Sequence, residues 1–427
     1  MKSAIINARI IDTKNNIDET GGILINENGL VEAVGKDVTK DNVGDIKVTD
    51  CQNKIAIPGI IDGRVFVGEP GFEYKENYST LSQAAISGGV TSVVTMPNTD
   101  PVVDNVSTFD FIKRRARDKS LIKIHSLASL TKNTEGHEIC EFGLLKLSGA
   151  IGFTDGVKSI QNNNVMDKIF NYAKNQNALV IQFPQDNELS KNGVINEGLI
   201  ATKLGLKGIP DYAEHLVIER DLRLLNQYKS KYHIALLSSG KSIQIINEWK
   251  KKELQFTCGV SINQISLNEN DIGEFKTFLK LSPPLRKEQD RLDLIDGIKN
   301  QLIDIIVSDH KPEDEESKRL TFQTCASGSS GIETFLSLAL EQFHNGNLDL
   351  KTIIKCITEN PERIFGIKAG SLEKGMPADI TVFDLNKPWV VKRENLKSKS
   401  KNTAIEGKKL QGKVEKTYLN GKLVFEI

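Results

Sequence analysis

The side chains of this sequence that could do chemistry are mostly carboxylates placed at the ends of short apolar runs. IAIPGII is followed by Asp62, and Arg64, Phe66, Gly68 and Glu69 come just after it in GRVFVGEPG. TSVVTM leads into PNTDPVVDN, which supplies Asn98 and Asp100. AIGFT is followed by Asp155, and IDIIVS by Asp309 and His310. Two comparable ends, QFPQD and ALLSS, carry Phe183 and Leu236. Asp62, Asp155 and Asp309 are hard oxygen donors that could take Mg²⁺ if folding brought them together. A tight zinc centre asks instead for imidazole or thiolate. The five cysteines, Cys51, Cys140, Cys258, Cys325 and Cys356, are scattered without a Cys-x-x-Cys spacing. Such cysteines are expected to be buried small apolar residues in a reducing compartment.

The elements that must position these residues follow from periodicity. Runs rich in Val and Ile at 55–61, 91–96, 122–128, 150–154, 178–183, 233–237, 256–260 and 304–308 alternate with longer amphipathic stretches. This pattern predicts parallel strands joined by crossover helices. Eight units over that length favour a closed β/α barrel, whose working residues sit at the C-terminal ends of the strands. Both chain ends differ, with short strands expected at 2–11, 22–26, 31–35, 380–384, 389–392, 414–419 and 422–426 and no helices between them. Asn420-Gly421 is a type I′ hairpin signal. One small β domain from residues 1–54 and 371–427, beside a barrel over 55–370, is the economical division. The Lys-rich stretch 392–409 reads as a solvated surface connection.

Composition excludes several classes of function. The 427 residues carry 56 Lys plus Arg and 56 Asp plus Glu, a net charge of zero, so a global grip on nucleic acid or an anionic membrane is not expected. No run approaches the ~18 uninterrupted apolar residues of a spanning helix. The start, MKSAIINARIIDTKNN, becomes polar too soon for a secretory leader, and a cytoplasmic location is expected.

PGIIDGRVFVGEPGFEYKE, GGVTSVVTMPNTDPVVDN, GAIGFTDG, NEGLIATKLGLKGIP, SPPLRKEQDR, IIVSDHKP, GSLEKGMPADITVFD and SKSKNT together span nearly the whole chain. In this order they resemble the class I dihydroorotases of the amidohydrolase superfamily and their allantoinase and hydantoinase relatives. The resemblance implies an α/β fold, a (β/α)8 barrel of the amidohydrolase type with a small β-sandwich domain built from both termini. It also implies zinc in active members and hydrolysis or closure of a cyclic amide.

The departures from the family pattern are specific. Where active members carry a His-x-His pair followed by a substrate-binding Arg, this sequence has Arg64, Phe66 and Gly68. The two further metal histidines correspond to Phe183 and Leu236, a substrate-binding Asn to Ser282, and the second His of the DHxPH motif to Glu313. Asp155, Asp309, the family's acid/base, and Asn98, a substrate contact, keep their identities. His125, His137, His215, His233 and His344 lie away from the ligand positions, and His310 is expected to be structural. Without a metal, water keeps a pKa near 15.7 rather than about 7, so Asp309 would have no hydroxide to manage. No cofactor is therefore expected, and no catalytic residue. Arg64 should lie within salt-bridge reach of Asp309 or Asp155, taking the place of the missing cation.

Three functions are compatible with these residues. The first is a catalytically inactive structural or regulatory partner of aspartate carbamoyltransferase, since the family includes inactive dihydroorotase-like chains that assemble with that enzyme; an oligomer is then expected. The second is an active dihydroorotase or related cyclic amidohydrolase with an altered metal site. The third is a non-catalytic sensor of a pyrimidine intermediate.

Overall fold

The computed structural model describes residues 2–427. At the N-terminus β1 (Ser3–Asp12) pairs antiparallel with β2 (Ile17–Ile25), which pairs with β3 (Val31–Gly35). The opposite edge of β1 is divided. Ser3–Ile6 pair in parallel with β4 (Lys47–Asp50), and Arg9 and Ile10 with β5 (Ile55–Pro58).

The strand expected over 55–61 is therefore two strands. β5 belongs to the terminal sheet, and β6 (Ile60–Val65) opens the barrel, so the sheet takes in four residues that the division at residue 55 gave to the barrel. Gly59 makes the passage possible, because a Cβ there would lie 2.1 Å from Thr91 Oγ1. An unbroken apolar run records burial and is silent about which sheet does the burying.

β6, β7 (Val90–Thr95) and β8 (Lys123–Ser126) form one parallel sheet, crossed over by α1 (Tyr78–Ser87) and α2 (Val106–Lys119). α3 (Phe142–Ser148) follows. β9 (Leu179–Gln182), β12 (Lys231–Leu237), β13 (Thr257–Ser261) and β14 (Ile305–Val307) form the other parallel sheet. Between β9 and β12, β10 (Ile195–Asn196) and β11 (Gly208–Ile209) make a two-residue pair in an excursion above the strand ends. The strand expected at 150–154 forms no ladder. Phe153 alone bridges to Ala128 on one side and Val180 on the other, and His310 alone bridges to Val65. An interior glycine, Gly152, weakens that run as a strand.

Alternate strand residues serve two cores. Ile61, Val94, Leu127, Ile181 and Val307 fill the barrel interior, whereas Val93, Ala128, Val180, Ile234 and Ile306 face the helices. The chain then returns to the terminal sheet. β15 (Ile380–Val390) pairs with β5, β16 (Lys409–Leu419) with β15, and β17 (Lys422–Glu426) with β16. The β16–β17 turn places Asn420 at φ 47° and Gly421 at φ 73°, both positive as a type I′ turn requires. The strands expected at 380–384 and 389–392 are one strand, whose register slips between Asp384 and Pro388.

Residues 396–402 are no solvated connection. Lys397, Lys399 and Lys401 are exposed, but Ser398, Ser400 and Asn402 between them are buried. Ser398 Oγ donates to Glu76, Ser400 Oγ to the Lys75 carbonyl (2.7 Å) and Asn402 Nδ2 to the Gly328 carbonyl (3.0 Å). The segment is a strap that ties the loops following β6 and β14 together.

Candidate functional site

β6 is irregular, its register against β7 shifting between Asp62 and Val65. Arg64 at its end is only 4% exposed. Its Nε donates to Asp309 Oδ1 at 3.0 Å and its Nη2 to the Gly156 carbonyl at 3.2 Å. The guanidinium carbon lies 5.3 Å from the Phe66 ring centre and 5.9 Å from that of Phe183, within cation–π range. Burial drives the guanidinium pKa down, and the Asp309 carboxylate opposes that shift. Burial likewise pushes the Asp309 carboxyl up, opposed chiefly by the charges of Arg64 and Lys311. Asp309 itself sits at φ 51°, a left-handed conformation that aspartate tolerates.

Arg64 reaches one of the two aspartates named for it. Asp155, 1% exposed, accepts instead from Ser129 Oγ (2.8 Å), Leu130 N (2.9 Å), Thr131 N (3.0 Å) and Thr131 Oγ1. Asp62 accepts from Ser308 N (3.1 Å) and Ser308 Oγ, while burial pushes its pKa up to about 6. The three carboxylates that could have shared a hard cation are thus committed to three separate sets of donors. Asn98 Nδ2 donates to the Asp155 carbonyl at 3.2 Å, holding the backbone of the 155–156 turn.

Leu236 and Phe183 are 0% and 2% exposed and belong to the interior core with Met96, Val94 and Ala235; half-buried Phe66 packs against it. The apolar column of the barrel therefore runs up to the strand ends. Gly68 is at φ 78°, and a Cβ there would lie 2.7 Å from the Phe72 carbonyl oxygen. Glu313 pairs with Lys75 at 2.7 Å, and Ser282 is half-buried. His310 is wholly buried, its Nδ1 accepting from the Gly331 and Ile332 amides, which puts the proton on Nε2, 3.6 Å from Glu76. His215, His233 and His344 bond to Ser239, Thr257 and the Leu385 carbonyl. All five cysteines are free and buried.

Comparison with known proteins gives the family and the fold. Residues 53–242 match the dihydro-orotase-like family and residues 343–425 the amidohydrolase family. A dihydroorotase of Ehrlichia canis is 38% identical over 425 residues, covering 99% of this chain and 94% of that protein. The chain belongs to the dihydroorotase family. A dihydroorotase of Acetivibrio thermocellus is 36% identical over 416 residues, 97% of each chain. Among solved structures, the L-hydantoinase of Arthrobacter aurescens superposes with a TM-score of 0.88 at 20% identity, over 99% of this chain and 96% of that one. The dihydropyrimidinase of Brevibacillus agri gives 0.86 at 20%, over 100% and 95%. These two establish the fold, the amidohydrolase-type barrel with its sheet-rich terminal domain.

A dihydroorotase zinc does not fit the residues present. Arg64, Phe66, Phe183 and Leu236 offer neither imidazole nor thiolate, and the cation of Arg64 stands against Asp309. No group of three or more His, Cys, Asp or Glu side chains close enough to hold an ion occurs among the described residues. Sequence reasoning missed the partners of Asp155. Ser129 and Thr131 lie 26 and 24 residues away, in a loop with no motif to mark them.

Proposed function

We propose that this member of the dihydroorotase family has lost catalysis and acts as a structural or regulatory partner of aspartate carbamoyltransferase. The observation that supports the reading is the Arg64–Asp309 pair: the family's acid/base carboxylate is neutralised by a buried cation at the position of the first metal histidine. Oδ1 of that carboxylate accepts from the guanidinium, and with no imidazole or thiolate set to hold a metal there is no activated water for it to serve as acid or base. Phe183 and Leu236 fill space that imidazoles and metal would need. Retention of the whole barrel and strap without that chemistry favours a role carried by the outer surface.

Dihydroorotate hydrolysis and carbamoyl aspartate cyclisation, assayed with added Zn²⁺, should both be undetectable. Size-exclusion chromatography with the carbamoyltransferase of the same cell should give a co-eluting complex, since a specific interface buries at least ~1,000 Å². Turnover that disappears in Asp309→Ala would overturn the loss of catalysis. Separate elution at micromolar concentration, with the carbamoyltransferase fully active alone, would overturn the partnership.

A further inference from the structure

The barrel wall is open beside the start of β8. That strand pairs with β7 along Lys123–Ser126, but its other edge meets the 150–154 segment only from Ser126 onward. α3 has seven residues, about 10 Å of helix, and leaves Lys123, Ile124 and His125 half-buried, where β6, β7 and β9 are wholly buried. A cavity of about 1000 Å³ lies at this seam, between the C-terminal half of α2, the first residues of β8 and the turn at Gly149. It is at the N-terminal ends of the strands, away from Arg64 and Asp309.

The charge of the cavity is lopsided. Lys113, Arg114, Arg117 and Lys123 line it against a single carboxylate, Asp110, in a chain whose net charge is zero. Lys123 is committed to buried Asp379, and Arg117 pairs with Asp118 in an exposed contact. Lys113 donates to the Ser148 carbonyl and Arg114 Nε to the Asp110 carbonyl, and neither forms an ion pair among the described residues. Lys113 and Arg117, four apart on α2, share a face, with Arg114 at its flank. Phe109, Ile122, Ile124 and Ile151 supply an apolar floor. His125 Nε2 is buried there with no hydrogen-bond partner. Burial and then the charge of Lys123 hold that imidazole down to about 4, so it is neutral at pH 7 and can donate or accept.

We propose that this seam binds a nucleoside triphosphate, with its phosphates on Lys113, Arg114 and Arg117 and its base on the apolar floor beside His125. Guanidinium forks match phosphate oxygens in pairs. Three cations within about one helical turn suit a polyphosphate chain better than one phosphate. An apolar surface with one unpartnered buried nitrogen suits a planar base, which brings a flat face and hydrogen-bonding edges. The site is independent of whether the other end of the barrel is catalytic.

Calorimetric titration of the full chain with ATP, with CTP and with inorganic triphosphate tests the assignment. Saturable one-to-one binding of at least one nucleotide is expected. Inorganic triphosphate should bind at least about tenfold more weakly, and Arg114→Ala combined with Lys113→Ala should weaken nucleotide binding at least about tenfold at an unchanged melting temperature. His125→Ala should erase the preference for nucleotide over inorganic triphosphate. No saturable binding of either nucleotide up to about 1 mM would overturn the proposal. So would affinities unaffected by the two α2 substitutions. Inorganic triphosphate binding as tightly as both nucleotides would overturn the base subsite.

Discussion

The two ends of the barrel have been treated in opposite ways. At the C-terminal end, where a dihydroorotase works, the structure is closed: Arg64 is paired with Asp309, Asp155 is saturated by a loop, and Phe66, Phe183 and Leu236 extend the apolar core. At the N-terminal end, beside β8, the wall is open, and two of the four cations that line it, Lys113 and Arg114, form no ion pair among the described residues. A buried charge must be matched because desolvation penalises it, whereas an exposed one is stabilised by water and remains free for a ligand. The cost of a substitution should therefore differ sharply between the ends.

The largest effect is expected from Arg64→Ala, which leaves the largely buried Asp309 side chain, 12% exposed, without its guanidinium partner. It should cost roughly 3–5 kcal/mol of unfolding free energy in urea titration, part of which Asp309→Ala in the same chain should restore. A loss below about 1 kcal/mol would mean that the closed end is not held by this pair. Asp62 gives the next effect, and its sign is fixed by the direction of its shift. Burial raises its pKa from 3.8 to about 6, so the folded chain holds that proton more tightly than the unfolded one. Its contribution is complete below pH 3.8 and is lost as pH rises through 6, an amount of about 3 kcal/mol. Asp62→Asn should remove that much of the pH dependence between pH 3.5 and pH 6.5, as measured by the difference in melting curves.

Gly68→Arg, which restores the family residue, should destabilise by at least about 1–2 kcal/mol, because a side chain is placed on a left-handed backbone. It should bring no binding of carbamoyl aspartate by calorimetry. The smallest effect belongs to the open end. Arg114→Ala should leave stability within about 0.5 kcal/mol of the parent, since its side chain is exposed and has no ion-pair partner to strand. A larger loss would show that the seam is part of the structural frame and would blur the contrast between the ends.

The sequence by itself determined the kind of fold and the chemical content of the closed end. Strand periodicity and motif order fix the barrel and the terminal β domain, and residue types at the strand ends decide that no imidazole or thiolate stands at Arg64, Phe66, Phe183 or Leu236. The approach of Arg64 to Asp309 was also legible, because strand ends of one barrel converge whatever the loops do. Tertiary structure alone decided the rest. Asp155 is bonded to Ser129 and Thr131 because folding brings the hydroxyls and amides of that loop, 24–26 residues away in sequence, against its carboxylate. The run at 55–61 broke between two sheets, and the Lys-rich strap buried every second side chain, because pairing partners are chosen in space and apolar or polar spacing does not encode them. The cavity at β8 exists because the 150–154 segment forms no ladder and α3 is short. An opening of that kind depends on which contacts fail to form, and a sequence records those only through the folded chain.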